Sequence, residues 1–327
     1  MRIPRFLFVS PVLGTTRVPA DIEIRYPLIV GEEGGMEISV GLDTVPAPRR
    51  FSFATGSASV ELNAPSPDHF MSTLSILSSD GSPVHDIVLS DTSRRPFLYS
   101  FGAYSGTIGA MYGSTFSTVA RNFLLVPDAP DHTSIRSFNM IVEPHDPSLY
   151  CFDNEMVYVN ATLEPVNDEE HSMTIHVGVS LEPTSDTSRI FDIHNDTTIY
   201  SGQYEIHTES EFDSIPSEIF TVILIAIRSA TGISGSGDII NLTECESFID
   251  ELPSIRFTVM DNSANIGVYV VLSPRDYTDI SEDGGVCKLR LRRSNNYVRD
   301  RLGVNFLERV AVLVDYTNTR FGFCEPL

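Results

Sequence analysis

The chain has 327 residues, 42% of them hydrophobic and 20% charged, which excludes a disordered polymer and supplies enough apolar side chain for a sizeable core. Its formal net charge is −22, so a nucleic-acid backbone or an anionic membrane face would be repelled. No run of 18 apolar residues exists to span a bilayer as a helix.

The N-terminal stretch MRIPRFLFVSPVLG reads either as a signal-peptide remnant, with Arg2 and Arg5 before a short apolar run, or as an ordinary apolar strand interrupted at Pro11. Beyond it, short apolar or alternating runs recur: MEISVGL (36–42), RRFSFA (49–54), SASVEL (57–62), MTIHVGVSL (173–181), EIFTVILIAI (218–227), SIRFTVM (254–260) and VAVLVDY (310–316). β-branched and aromatic residues fill these runs, and Gly, Pro, Asn, Asp and Ser separate them, so the expectation is an all-β protein. Helices are expected only in short pieces near 66–78, 146–156 and 235–250.

The four cysteines, Cys151, Cys245, Cys287 and Cys324, form no CxxC pair and have no histidine at ligand spacing, so neither a metal site nor any other cofactor is expected. Their even number suits two disulfides in an oxidising compartment. The sequons at Asn160, Asn195 and Asn241 point the same way, to a glycosylated protein of the secretory pathway or cell surface.

Two segments echo each other. Ala54-Thr55-Gly56-Ser57 ends one β-rich run, and Ala230-Thr231-Gly232 ends another, followed by Ile233 and Ser234. A duplicated half would produce such an echo. In this setting the chain resembles the pepsin-like aspartic peptidases over about residues 28–323. The supporting segments are GGMEISVGL before the first loop, LYSFGAYSGTIG (98–109) as a flap hairpin with Tyr99, Gly102, Tyr104 and Gly106, SFNMIVEP (137–144), RIFDIHNDTTIYSG (189–202), and LGVNFLERVAVLVDYTNTRFGF (302–323). The resemblance implies a bilobed fold with a first lobe at 20–183 and a second at 184–327. It also implies loops at Ala54 and Ala230 facing a peptide-binding cleft, and Cys245–Cys287 and Cys151–Cys324 disulfides.

The reaction of that family needs two carboxylates sharing a proton across the cleft, one as base and one as acid. Here both positions read as alanine, and a methyl group carries no proton. Glu61 is no substitute, since seven strand residues carry it about 23 Å from the loop. Asp238 is expected to open a helix, and no GxSxG string supports a serine nucleophile. The expectation is a catalytically inactive homologue that binds a peptide or protein in the cleft. The alternatives are an acid endopeptidase whose two Asp were replaced by Ala, and a secreted surface protein with a vestigial cleft. Glu143, where the family has glycine, together with Arg228 and Ile233 around the second loop, favours natural decay over replacement.

Overall fold

A computed structural model describes residues 25–31, 34–42, 45–57, 60–62, 71–77, 83–90, 106–128, 136–166, 171–182, 189–192, 200–231, 249, 252–261, 266–280, 287–294 and 300–327. Within them the chain is mostly β. Strands β1 (Arg25–Val30), β2 (Met36–Leu42) and β3 (Val45–Ala54) pair antiparallel in sequence. Gly34 makes the first of these turns at φ 81°, where a side chain would be strained. Next come β4 (Val60–Leu62), a hairpin of β5 (Met71–Leu77) and β6 (Pro83–Ser90), and β7 (Gly106–Gly109). Helix α1 (Thr115–Val119) starts where Ser114 Oγ accepts the Ser117 amide at 3.1 Å, and β8 (Asn122–Pro127) and β9 (Ser137–Val142) follow it.

A 3-10 turn at Pro147–Tyr150, capped by Asp146, precedes β10 (Val157–Asn160), β11 (Thr162–Pro165), β12 (His171–Glu182), β13 (Arg189–Asp192), β14 (Tyr200–Ile206) and β15 (Asp213–Ile215). Helix α2 (Ser217–Thr231) is the long one. The chain then runs through β16 (Ser254–Asp261), β17 (Ile266–Leu272), β18 (Thr278–Ile280), β19 (Cys287–Leu289), β20 (Leu291–Arg293) and β21 (Asp300–Leu302). Helix α3 (Val304–Leu307), β22 (Ala311–Asp315) and β23 (Arg320–Cys324) close it.

Two expectations fail here. The 218–227 run is helix, not strand: Ile219, Phe220, Ile223 and Leu224 are buried while Glu218, Thr221, Val222 and Ile225 are exposed, which is a helical period. Pro216 and Ser217 mark its start. Conversely, residues 71–77 of the helix expected near 66–78 are strand β5, paired with β6 along its length. Of the segment near 146–156, only the four-residue 3-10 turn is helical, and the 235–250 segment lies outside the described residues except Ile249.

A ten-stranded sheet runs β10-β23-β22-β8-β9-β1-β2-β3-β7-β4, and a seven-stranded sheet runs β13-β17-β16-β12-β14-β21 with β11 on β12. Strands β11 and β12 pair with the second sheet, so the chain changes sheet at Ala161. Strands β22 and β23 return to the first sheet.

One connection pattern occurs twice. Strand β3 lies between antiparallel β2 and parallel β7, after which come α1, β8 and antiparallel β9. Strand β14 lies between antiparallel β12 and parallel β21, after which come α3, β22 and antiparallel β23. The two copies meet where β8 pairs antiparallel with β22, the fourth and third strands of the long sheet. Each copy buries edge-on aromatic rings behind its strands. Phe53, Phe116 and Phe123 stand 5.5–5.6 Å apart by centroid in the first, and Phe257 and Phe306 stand 5.7 Å apart in the second. Such fully buried phenylalanines each contribute about 1.5–3 kcal/mol.

Candidate functional site

The two copies present their strand-end turns to each other. Strand β3 ends at Ala54 and turns at Thr55-Gly56; β14 ends at Ile206 and turns at Thr208-Glu209. The threonines cross. Thr55 Oγ1 donates to the Ile206 carbonyl at 2.7 Å and accepts the Thr208 amide at 3.1 Å. Thr208 Oγ1 donates to the Phe53 carbonyl at 2.5 Å and accepts the Thr55 amide at 3.1 Å. A hydroxyl is both donor and acceptor, so a threonine on each side satisfies four backbone groups that the turns would otherwise leave orphaned.

The partner of the first loop is therefore His207-Thr208-Glu209-Ser210. Ala230-Thr231-Gly232, expected in that place, is not a strand-end loop: Ala230 and Thr231 are the last two residues of α2, and Gly232 and Ser234 lie outside the described residues. Three shared letters carried that assignment, whereas the pairing depends on strand order and on a single threonine. The usable signal was the pattern x-Thr-x-Ser after a strand, present both at Ala54–Ser57 and at His207–Ser210.

Ala54 is 2% exposed, and its carbonyl accepts the Ala110 amide at 2.7 Å. In the equivalent place stands His207, 5% exposed, its amide donating to the Leu302 carbonyl at 2.8 Å. The imidazole lies over Gly56, where an added Cβ would fall 2.0 Å from Nε2. Glycine is required at 56 for this close approach. The ring stands between two carboxylates: Glu205 Oε2 is 3.8 Å from Nε2, and Glu209 Oε2 is 3.3 Å from Nδ1. The Gly56 amide donates to Glu209 Oε2 at 3.4 Å, and Ser172 Oγ donates to Glu205 Oε1 at 2.6 Å. Burial, with Arg301 nearby, holds the imidazole down to about 4 against the opposing pull of Glu205. Burial likewise raises the Glu209 carboxyl above its usual range. His207 is thus neutral at pH 7.

Beside the crossing lies a cavity of about 20 Å³, room for one water, lined by Thr55, Tyr112, Ser172, Glu205, Tyr316 and apolar neighbours. Ser57 joins the first turn to the segment after β7, its carbonyl accepting the Met111 amide at 3.0 Å. Glu143, where glycine was expected, adopts φ 49°, the left-handed region that favours glycine. Its carboxylate accepts the Arg121 amide at 3.3 Å. Below the second turn Asp213 is fully buried, taking the Gly303 amide at 2.7 Å and Asn305 Nδ2 at 2.9 Å. This ties β15 to the start of α3. Sequence reasoning passed over His207, Glu209 and Asp213.

Cys151 and Cys324 form a disulfide, joining the 3-10 turn to β23. Cys287 lies in β19, and Cys245 lies outside the described residues, as do Tyr99, Gly102, Tyr104, Asn195 and Asn241. Asn160 is exposed at the end of β10, where its Nδ2 donates to Asp261 at 3.1 Å. No helix among the described residues is long and apolar enough to cross a membrane. No protein-family model matches the chain, and no curated protein sequence matches it.

Proposed function

We propose that the chain is a catalytically inactive relative of the pepsin-like aspartic peptidases, bilobed, that holds an extended peptide or protein segment between its two halves. The observation that carries this reading is the Thr55–Thr208 crossing between topologically equivalent turns, with Ala54 and His207 where that chemistry needs two carboxylates. The scaffold that would position the acids is kept while the acids are gone. Proton transfer and subsite contact are separate contributions, so binding outlives catalysis. Strand-like backbone hydrogen bonds would supply the affinity.

His207 and Glu209 also bear on how the acids were lost. Exchange of Asp for Ala alone would leave glycine in the second turn; a histidine and a glutamate together indicate natural divergence. The Cys151–Cys324 disulfide favours an oxidising compartment, in line with a secreted or surface protein.

Incubating the purified chain with casein between pH 3 and 6 is expected to give no cleavage. Calorimetric titration with a statine-containing peptide and an extended peptide library is expected to give saturable binding. Binding by neither would leave a surface protein with a vestigial cleft, and cleavage by the unaltered chain would overturn the reading.

A further inference from the structure

We propose that His207 and Glu209 share a single proton, and that this proton latches the 54–57 turn onto the 207–210 turn. The inference stands on geometry and is independent of any ligand. His207 Nδ1 is buried, makes no hydrogen bond, and lies 3.3 Å from Glu209 Oε2. Two lone pairs at that distance repel, whereas one proton between them makes an N···H–O contact. The Nε2 side selects the tautomer by charge, with Glu205 Oε2 3.8 Å away. It faces Glu205 Oε2, which is held by the Ser172 hydroxyl through Oε1, so the N–H belongs on Nε2 and the lone pair on Nδ1.

The groups facing the ring are Glu205 on β14, Glu209 in its own turn and Arg301 on β21, and the 54–57 turn packed over it carries no charge. Arg301 and burial oppose a second proton on the imidazole, and burial favours a proton on Glu209. Both tendencies leave one proton for two acceptors. The same Glu209 oxygen also accepts the Gly56 amide, so the pair and the crossing turns form one unit. Loss of the proton would set a carboxylate against the Nδ1 lone pair and loosen the turn that Gly56 caps.

The test is NMR titration of the full-length chain, labelled with ¹⁵N on histidine and ¹³C on glutamate, with His207→Gln and Glu209→Gln spectra to assign the two signals. The expected result is a neutral Nε2–H imidazole at His207 between pH 5 and 7, with one midpoint shared by its Nδ1 shift and the Glu209 carboxyl shift. The protection factor of the Thr208 amide, taken relative to its intrinsic base-catalysed exchange, is expected to fall about tenfold above that midpoint. Glu209 titrating alone near its ordinary 4.5, or His207 gaining a second proton near 6.5, would overturn the proposal. The unaltered chain alone decides this if either variant fails to fold, because its coincident midpoints need only wild-type spectra once the histidine signals are assigned by through-space contacts to Gly56.

Discussion

Thr55 and Thr208, separated by 153 residues, each donate a hydroxyl proton to a carbonyl in the other's strand and each accept the other's amide. Removing either hydroxyl leaves a carbonyl and an amide unpaired in a nearly dry junction. Thr208, with no exposure, has the more to lose. Thr208→Val is expected to cost about 2–4 kcal/mol and Thr55→Val about 1–3 kcal/mol. Because both remove the same crossing, the double variant should cost less than the two singles added, with a coupling of about 1–2 kcal/mol. Urea unfolding of the four proteins measures it, and simple additivity would show that the crossing is not one unit.

Asp213 is the strongest candidate for a pH-dependent stability contribution. Burial pushes its carboxyl up to about 8, against the pull of the Gly303, Asn305 and Phe306 donors. The folded value lies above the unfolded one, so the folded state holds the proton more tightly. Stability therefore rises as pH falls from about 8 towards 4, and above 8, where both states are ionised, the contribution levels off. Asp213→Asn should remove that slope. Its amide nitrogen would also face the Gly303 or Asn305 N–H, lowering stability by about 2–4 kcal/mol at pH 7. Melting temperature against pH from 5 to 9 tests both parts: a wild-type curve as flat as that of the variant would refute the first.

The sequence disclosed the β class because period-2 runs such as MEISVGL and SIRFTVM survive as strands β2 and β16 almost to the residue. It misled at 218–227, where β-branched Ile219, Val222, Ile223 and Ile225 mimic a strand, and only the burial of Ile219, Phe220, Ile223 and Leu224 against exposed Thr221 and Val222 fixes the helix. The first turn of the site was legible, since Ala54-Thr55-Gly56 follows a strand. The second was not, because only Thr208 is kept from the expected string. The crossing constrains a hydroxyl and two backbone positions, leaving residues 207 and 209 free to vary. Asp213 was invisible for another reason: a buried carboxylate is identified by its donors, Gly303 and Asn305, which lie 90 and 92 residues away.

The Cys151–Cys324 bridge, with a sequence separation of 173, fastens the edge of the long sheet. A loop of that size gives a chain-entropy contribution of about 5 kcal/mol, and measured losses for native disulfides run about 2–5 kcal/mol. Cys151→Ala/Cys324→Ala is expected to fall in that range in urea unfolding. The loss should be felt at β10 and β23 first, so amide exchange at Val159 and Phe321 should accelerate more than at Val177 or Phe257 in the other sheet. Uniform acceleration across both sheets would show that the bridge acts on the unfolded chain alone.

Installing acid chemistry would need more than the two alanines of the repeated string. Ala230→Asp places a carboxylate at the end of α2 and is expected to create no activity. Ala54→Asp with His207→Asp supplies an acid on each turn, yet Glu209 remains, its carboxylate on the Gly56 amide and its charge beside the new pair. With Glu205 held on its far side by the Ser172 hydroxyl, three further carboxyls in one buried junction would share protons differently from two, so the double variant should stay silent. Adding Glu209→Gly removes the third carboxyl and reopens the turn. If the pepsin-like ancestry is correct, only this triple variant should cleave casein at acid pH, at least about 10²-fold above the unaltered chain, the contribution expected of a working acid–base group. A fluorogenic casein assay run beside circular dichroism separates inactivity from misfolding. A folded triple variant without cleavage would count against descent from an active enzyme of this kind.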